Sequence, residues 1–195
     1  LSMERTALNI AMHLSGVASF TYKIVEKLKN TGIKLADTRK TTPGLRIFEK
    51  YAFKCGGGIN HRMGLYDAAM IKENHIAWSD NLINTVKKLR ENIPFTSHII
   101  IEAETIEQAK EAIFAGADSI LLDEINPDLL SKSIKELRMT SKELYKKNNS
   151  KELIIEVSGI NHLEIDKYLI EGIDFISTSS SVTKSKWIDF SMRYI

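Results

Sequence analysis

The sequence predicts an α/β chain: an open or incomplete TIM-like β/α barrel with an N-terminal helix leading in. Three observations predict it. Short apolar runs alternate with stretches of helical periodicity, which is the signature of parallel β/α units. Each apolar run ends in a polar or charged residue, as barrel strands do where their loops converge. Six such units fit within 195 residues, the size of one domain of roughly 100–200 residues. A doubly wound open sheet is the alternative arrangement of the same units.

The elements follow in order. Residues 3–29 carry Leu8, Met12, Val17, Phe20, Ile24 and Leu28 at helical spacing, with Gly16 weakening the middle and Asn30-Thr31-Gly32 as the stop. Residues 1–30 are thus the leading helix of a single domain spanning 1–195. Ile33–Ala36 is a strand ending in Asp37-Thr38-Arg39-Lys40, and Leu45–Lys54 reads as a helix with Thr42 as its cap and Pro43 in the first turn. Gly56–Gly58 end that helix. Strands at 68–71, 99–101, 119–122, 153–157 and 175–176 then alternate with helices at 79–91, 105–115, 127–147 and 162–171. The stretch KELYKKNNSK at 142–151 reads as a solvated helix end and loop.

Composition narrows the function. The chain is 43% hydrophobic and 27% charged, the balance of a globular protein with a sizeable core. A net charge of +2 provides no field for nucleic acid or a membrane surface, and no stretch approaches the roughly 20 apolar residues of a membrane helix. Cys55 is the single cysteine, so an internal disulfide and a multi-cysteine zinc site are excluded and a reducing, cytoplasmic setting is expected. Glu4, Arg5 and His13 interrupt any signal-peptide core. The chain begins at Leu1 and is read as a piece of something longer.

Reading the residue just past each apolar run gives Arg39 and Lys40, Lys72, Glu102, Asp123, Ser158 and Ser177. Cations come from the early strands, carboxylates from the middle and hydroxyls from the late ones. Cations suit an anionic ligand, because each charge-assisted hydrogen bond is worth about 1.5–3 kcal/mol. Two carboxylates on adjacent strands suit Mg2+ (magnesium), which takes one or two protein carboxylates plus substrate oxygens. Late serine and glycine backbone groups suit a phosphate. Taken singly, a strand-end Glu or Asp is more often a helix cap, Lys72 a solvated lysine, His13 and His98 structural, and Trp78 and Trp187 packing residues. The coincidence of four successive charged strand ends is what points to a site.

The segments ERTALN (4–9), DTRKTTPGLRIFEKYAFKCGGGINHRMGLYDAAMIKENHI (37–76), IEAET (101–105), AGADSILLD (115–123) and EVSG (156–159) closely resemble the carboxylating nicotinate-nucleotide pyrophosphorylases, or quinolinate phosphoribosyltransferases. The resemblance implies transfer of phosphoribosyl from 5-phosphoribosyl 1-pyrophosphate to quinolinate with loss of CO2, giving nicotinate mononucleotide and pyrophosphate for NAD biosynthesis, with magnesium. It implies that Arg39, His61, Arg62 and Lys72 hold the quinolinate carboxylates and that Arg5 reaches the pocket of a partner subunit in a homodimer or larger homo-oligomer. It implies further that Lys40 lies near both substrates, Glu102 and Asp123 serve the ribose and the metal, and Ser158, Gly159, Ser177 and Ser179 lie around the 5′-phosphate. The glycines before His61 and Arg62 would let the loop turn so that both side chains face a small dianion. Three departures are expected to matter. An N-terminal family domain is absent from this chain, so the barrel alone is expected to have little or no activity. Ile160 stands where a glycine is usual after Ser158-Gly159, and STSSS (177–181) replaces a glycine after the last strand. The competing readings are a related phosphoribosyltransferase acting on nicotinate or another acid, and a non-catalytic metabolite-binding homologue.

Overall fold

A computed structural model describes residues 3–78, 81–147 and 152–193. Contacts divide the chain into two compact units, one of Leu1–Met63 with Thr178–Ile195 and one of Gly64–Ser177.

The first unit is organised by α1 (Glu4–Leu28), β1 (Lys34–Ala36), α2 (Arg46–Cys55) and a short α7 (Ser180–Thr183). In α1 the predicted stripe is real: Leu8, Val17, Ile24 and Leu28 are buried, and Thr21 satisfies its hydroxyl on the Val17 carbonyl at 2.8 Å. Asn30 and Gly32, both at positive φ, then turn the chain into β1. Gly16 was expected to weaken this helix, and its actual service is close approach. A Cβ there would lie 2.2 Å from the Lys186 carbonyl oxygen, where the C-terminal segment crosses α1 and Ile188 N–H bonds the Met12 carbonyl at 3.1 Å.

Helix α2 departs most from its sequence pattern. Ala52 and Phe53 are buried, but so are Glu49 and Lys50, at 0% and 1% exposed, while Ile47 and Tyr51 are 72% and 68% exposed. Two of its charges point inward, while Lys54 and several apolar residues face outward. Thr42 is not its cap; the helix begins after Leu45 without a side-chain cap, and Thr42 N–H is instead taken by Glu49 Oε2 at 2.9 Å.

The second unit contains β2 (Ala68–Ile71), α3 (Glu73–Ala77), α4 (Leu82–Asn92), β3 (His98–Ala103), α5 (Ile106–Phe114), β4 (Ser119–Asp123), α6 (Pro127–Lys147), β5 (Ile154–Ser158) and β6 (Phe175–Ser177). Its strands are parallel in the order β6-β5-β4-β3-β2, an open sheet with β2 at one end. The β/α alternation and leading helix of an open TIM-like barrel therefore stand. Register puts Ile101, Ile120 and Ile155 in one row and Ala103, Leu122, Val157 and Ile176 in the next, all nearly free of solvent. Every second residue shares a face, so this face is the apolar one, and each Ile, Leu or Val side chain on it contributes about 1.5–3 kcal/mol by burial. Alternate positions carry Glu102, Leu121, Glu156 and Phe175, then Asp123 and Ser158. The pleat thus sorts core residues from chemistry.

Two repeated clasps close the sheet's N-terminal edge. Asp118 Oδ2 accepts Ile99 N–H at 2.7 Å and Arg90 Nη2 at 2.6 Å, and Asp174 Oδ2 accepts Ile155 N–H at 2.7 Å and Arg138 Nη2 at 2.5 Å. The helix predicted at 162–171 is a 3-10 helix at His162–Tyr168, entered through an Asn161 cap. The one-turn α3 was not foreseen, and the predicted start of α4 at 79–80 and part of the 142–151 stretch (148–151) lie outside the described residues. Among the described residues, no helix is long and apolar enough to cross a membrane.

Candidate active site

In the first unit, Asp37 follows β1 and is buried. Its Oδ1 accepts Lys50 Nζ and His61 N–H (2.8 Å), and its Oδ2 accepts Asn60 Nδ2 (2.7 Å). Burial pushes the Asp37 carboxyl above its ordinary value, and Lys50, then Asn60 and His61, pull it back down. Lys50 Nζ also donates to the His61 carbonyl at 2.9 Å. Arg46 ties the two loops a second time, donating to Thr41 Oγ1 (3.1 Å), the Met63 carbonyl (3.3 Å) and the Arg39 carbonyl (3.4 Å). The segment carrying Arg39 and Lys40 is thereby held beside the one carrying His61 and Arg62.

Two details of these side chains have chemical weight. Arg39 Nε is buried and has no hydrogen-bond partner among the described residues. A buried, unpaired donor on a cation is costly, and an anion is the group that would satisfy it. His61 Nδ1 accepts the Arg62 N–H at 2.7 Å, an arrangement that leaves Nε2 as the nitrogen bearing the ring proton and able to donate.

The glycine run ahead of them serves two ends. Gly57 takes a φ of +90°, the turn itself. Gly56 and Gly58 permit close approach: a Cβ on Gly56 would lie 2.4 Å from the Ala18 carbonyl oxygen, and one on Gly58 would lie 2.1 Å from the Phe53 ring. Phe53 is itself 1% exposed and cannot step aside. Gly58→Ala is therefore expected to cost about 1–3 kcal/mol by overpacking, read as a lowered midpoint in urea; an unchanged midpoint would mean that the ring yields freely.

A small hollow in this unit is lined by Thr38, Lys40, Thr41, Lys50, Ser179 and Ser181, among others. Lys40 is exposed on its rim, and Ser181 is 1% exposed with its Oγ unpartnered among the described residues. Glu49 also lines it, receiving His13 Nε2 at 2.7 Å and Thr42 N–H. Arg5 lies exposed on the first turn of α1.

In the second unit, Lys72 follows β2 and donates to Glu102 Oε2 at 2.5 Å. Desolvation raises the Glu102 carboxyl above its ordinary value; Lys72 opposes this, while Glu73 and the charge of Asp123 add to it. Asp123 pairs in register with Ser158. Gly159 follows at a φ of +72°, so close that a Cβ would lie 2.9 Å from Asp123 Oδ1 and 2.4 Å from Glu124 Cγ. Ser177 ends β6 and is buried, as is Ile160.

The predicted residues thus form two groups. Arg39, Lys40, His61, Arg62 and Ser179 lie in the first unit with Arg5, and Lys72, Glu102, Asp123, Ser158, Gly159 and Ser177 lie in the second. Sequence reading passed over Asp37, Glu49, Lys50 and Glu156. Glu156 had a signal, a carboxylate inside the apolar strand IIEVS, in the same row as Glu102. Lys50 and Glu49 had none, because charged residues on a short helix ordinarily face water. His13 serves Glu49, with the Trp187 ring 5.9 Å away, and His98 Nε2 lies 3.1 Å from Ser119 Oγ at the start of β3. Trp78 was expected to pack, yet it is 90% exposed.

Comparison with known proteins places this geometry. Residues 17–193 match the family described as quinolinate phosphoribosyl transferase, C-terminal domain. A Synechocystis protein named "Probable nicotinate-nucleotide pyrophosphorylase [carboxylating]" is 38% identical across 100% of this chain and 63% of its own length. A Bacillus subtilis protein of the same name is 52% identical over 128 residues, 66% of this chain and 44% of its own. The crystal structure of NadC from Streptococcus pyogenes superposes with a TM-score of 0.85 at 39% identity, covering 98% of this chain and 64% of that one. The chain thus spans a little under two thirds of the Synechocystis and Streptococcus proteins, and it belongs to the quinolinate phosphoribosyl transferase family.

Proposed function

We propose that this chain carries the chemistry of a carboxylating nicotinate-nucleotide pyrophosphorylase: quinolinate and 5-phosphoribosyl 1-pyrophosphate give nicotinate mononucleotide, pyrophosphate and CO2, in NAD biosynthesis. The observation that carries the reading is the joining of the Arg39 and His61–Arg62 segments through one buried ion pair, with Arg39 Nε left unsatisfied. A single cation would match one carboxylate of a pyridine diacid and leave the other poorly compensated once buried. Arg39 and Arg62 offer planar forks, His61 an Nε2–H donor, and Lys72 a further cation already engaged with Glu102.

Magnesium fits the acidic residues of the second unit. Glu102 and Asp123 lie near enough for the charge of one to raise the other, and no group of three metal-binding side chains occurs among the described residues. Two carboxylates suit an ion that takes most of its ligands from water and substrate oxygens. Held there, it would neutralise charge on the pyrophosphate. Lys40 adds a cation for the same leaving group, and Glu102 and Asp123 stabilise positive charge growing on the ribose carbon. The backbone at Ser158 and Gly159, with Ser177 and Ser179, takes the 5′-phosphate. No side chain acts as a covalent nucleophile, so positioning supplies much of the rate. The exposed Arg5 suits a role in a partner subunit's pocket, in a homodimer or larger assembly. The one, exposed cysteine suits a reducing cytoplasm.

The test is CO2 released from labelled quinolinate with phosphoribosyl pyrophosphate and magnesium, set against turnover of nicotinate. Turnover of nicotinate without quinolinate decarboxylation would replace the reading with a monoacid transferase. Lys72→Met should then raise Glu102 further, because it removes the charge that opposes desolvation. An ionised Glu102 would be reached only at higher pH, so the acid limb of the pH–rate profile should move upward. A limb that stays in place would remove Glu102 from catalysis.

A further inference from the structure

We infer that the buried Lys50–Asp37 pair is a positioning device that holds the His61 backbone by both its N–H and its carbonyl and so sets the affinity for the acid. The inference rests on the proposed function for its kinetic readout, but its geometry stands alone. Asp37 Oδ1 takes the His61 N–H at 2.8 Å, and Lys50 Nζ gives a hydrogen bond to the His61 carbonyl at 2.9 Å. The two charged groups bond each other, so the peptides on either side of the His61 Cα are gripped by the members of one ion pair. Asn60 closes the ring by donating from Nδ2 to Asp37 Oδ2 at 2.7 Å and to the Lys50 carbonyl at 2.8 Å.

Such an arrangement is poor economy for stability alone. Two buried ions lose their hydration, and well-packed apolar residues of the same volume would serve the fold as well or better. What the ions do and apolar residues cannot is orient the two peptides that flank His61, since a donor and an acceptor on fixed elements meet its carbonyl and its N–H. The orientation passes onward. The His61 carbonyl shares a peptide plane with the next N–H, and that N–H, of Arg62, bonds His61 Nδ1 at 2.7 Å. The tautomer of His61 and the departure of the Arg62 side chain therefore follow from the clamp. Lys50 itself is 1% exposed, too deep to meet the acid, and acts through His61 and Arg62.

The experiment uses the purified protein and three variants: Lys50→Met, Asp37→Asn and the double substitution. Lys50→Met is expected to raise KM for quinolinate about tenfold or more through misplaced side chains, with KM for phosphoribosyl pyrophosphate changed by less than about twofold. The ring 15N signals of His61, identified by their loss in His61→Gln, should change from a single Nε2–H form to a mixture. The double variant, lacking an isolated buried charge, should regain thermal midpoint lost in Lys50→Met without regaining quinolinate KM. Recovery of KM together with the midpoint would overturn the inference, because the pair would then matter only for folding. So would a folded Lys50→Met protein with unaltered His61 signals. Should the unmodified protein, supplied with the N-terminal domain of its family, release no CO2 from quinolinate, the proposed function fails by itself, and the His61 signals decide the clamp independently.

Discussion

Arg62→Ala is expected to lower kcat/KM for quinolinate by roughly 100- to 10,000-fold. A guanidinium fork on a carboxylate makes two charge-assisted hydrogen bonds of about 1.5–3 kcal/mol each, and every 1.4 kcal/mol is about tenfold. The loss should fall mainly on quinolinate, with phosphoribosyl pyrophosphate affinity little changed, because Arg62 belongs to the loop braced by Asp37 and Lys50. Arg62→Lys should recover part of it, since an ammonium keeps the charge but not the planar fork. Steady-state kinetics with each substrate varied in turn checks this. An Arg62→Ala protein with unaltered quinolinate kinetics would dismiss the carboxylate assignment.

The second large effect concerns the fold. Lys50→Met is expected to lower the unfolding free energy by about 3–5 kcal/mol near neutral pH, because it strands the Asp37 carboxylate in the interior. The pH dependence has a definite sign. Burial already raises Asp37 in the native state, and loss of Lys50 raises it further. A raised acid contributes stability that is fully present below its unfolded value and is lost as pH rises through the folded one. The variant should therefore suffer most near neutrality and least in acid, where Asp37 is protonated and the unmodified protein carries Lys50 without its counter-ion. Urea denaturation at neutral pH and again in the carboxylate range measures the difference. Equal losses at both would show that Asp37 does not carry the burden.

Much of the site was legible because strand ends are legible. The apolar runs stop at Lys72, Glu102, Asp123 and Ser158, and the structure puts Lys72 just past its strand, Asp123 and Ser158 at the last position of theirs, and Glu102 one residue before the end of β3. Gly16, read as a weak point, is where a carbonyl crosses the helix, and only the distant Lys186 explains it. The 3-10 turn at His162–Tyr168 has the spacing of a helix without its length.

By itself the sequence determined the order of the strands and longer helices, their parallel β/α alternation, the leading helix and the residue types brought to each strand end, but not the short helices α3 and α7. These follow from periodicity, which records how one element divides its side chains between core and water. Only the tertiary structure decided that Glu49 and Lys50 turn inward, that Lys50 and Asp37 grip His61, and that Lys72 neutralises Glu102. A charge is buried when its partner is there to meet it, and these partners lie 11 to 36 residues away along the chain. No local pattern of hydrophobicity encodes such a meeting.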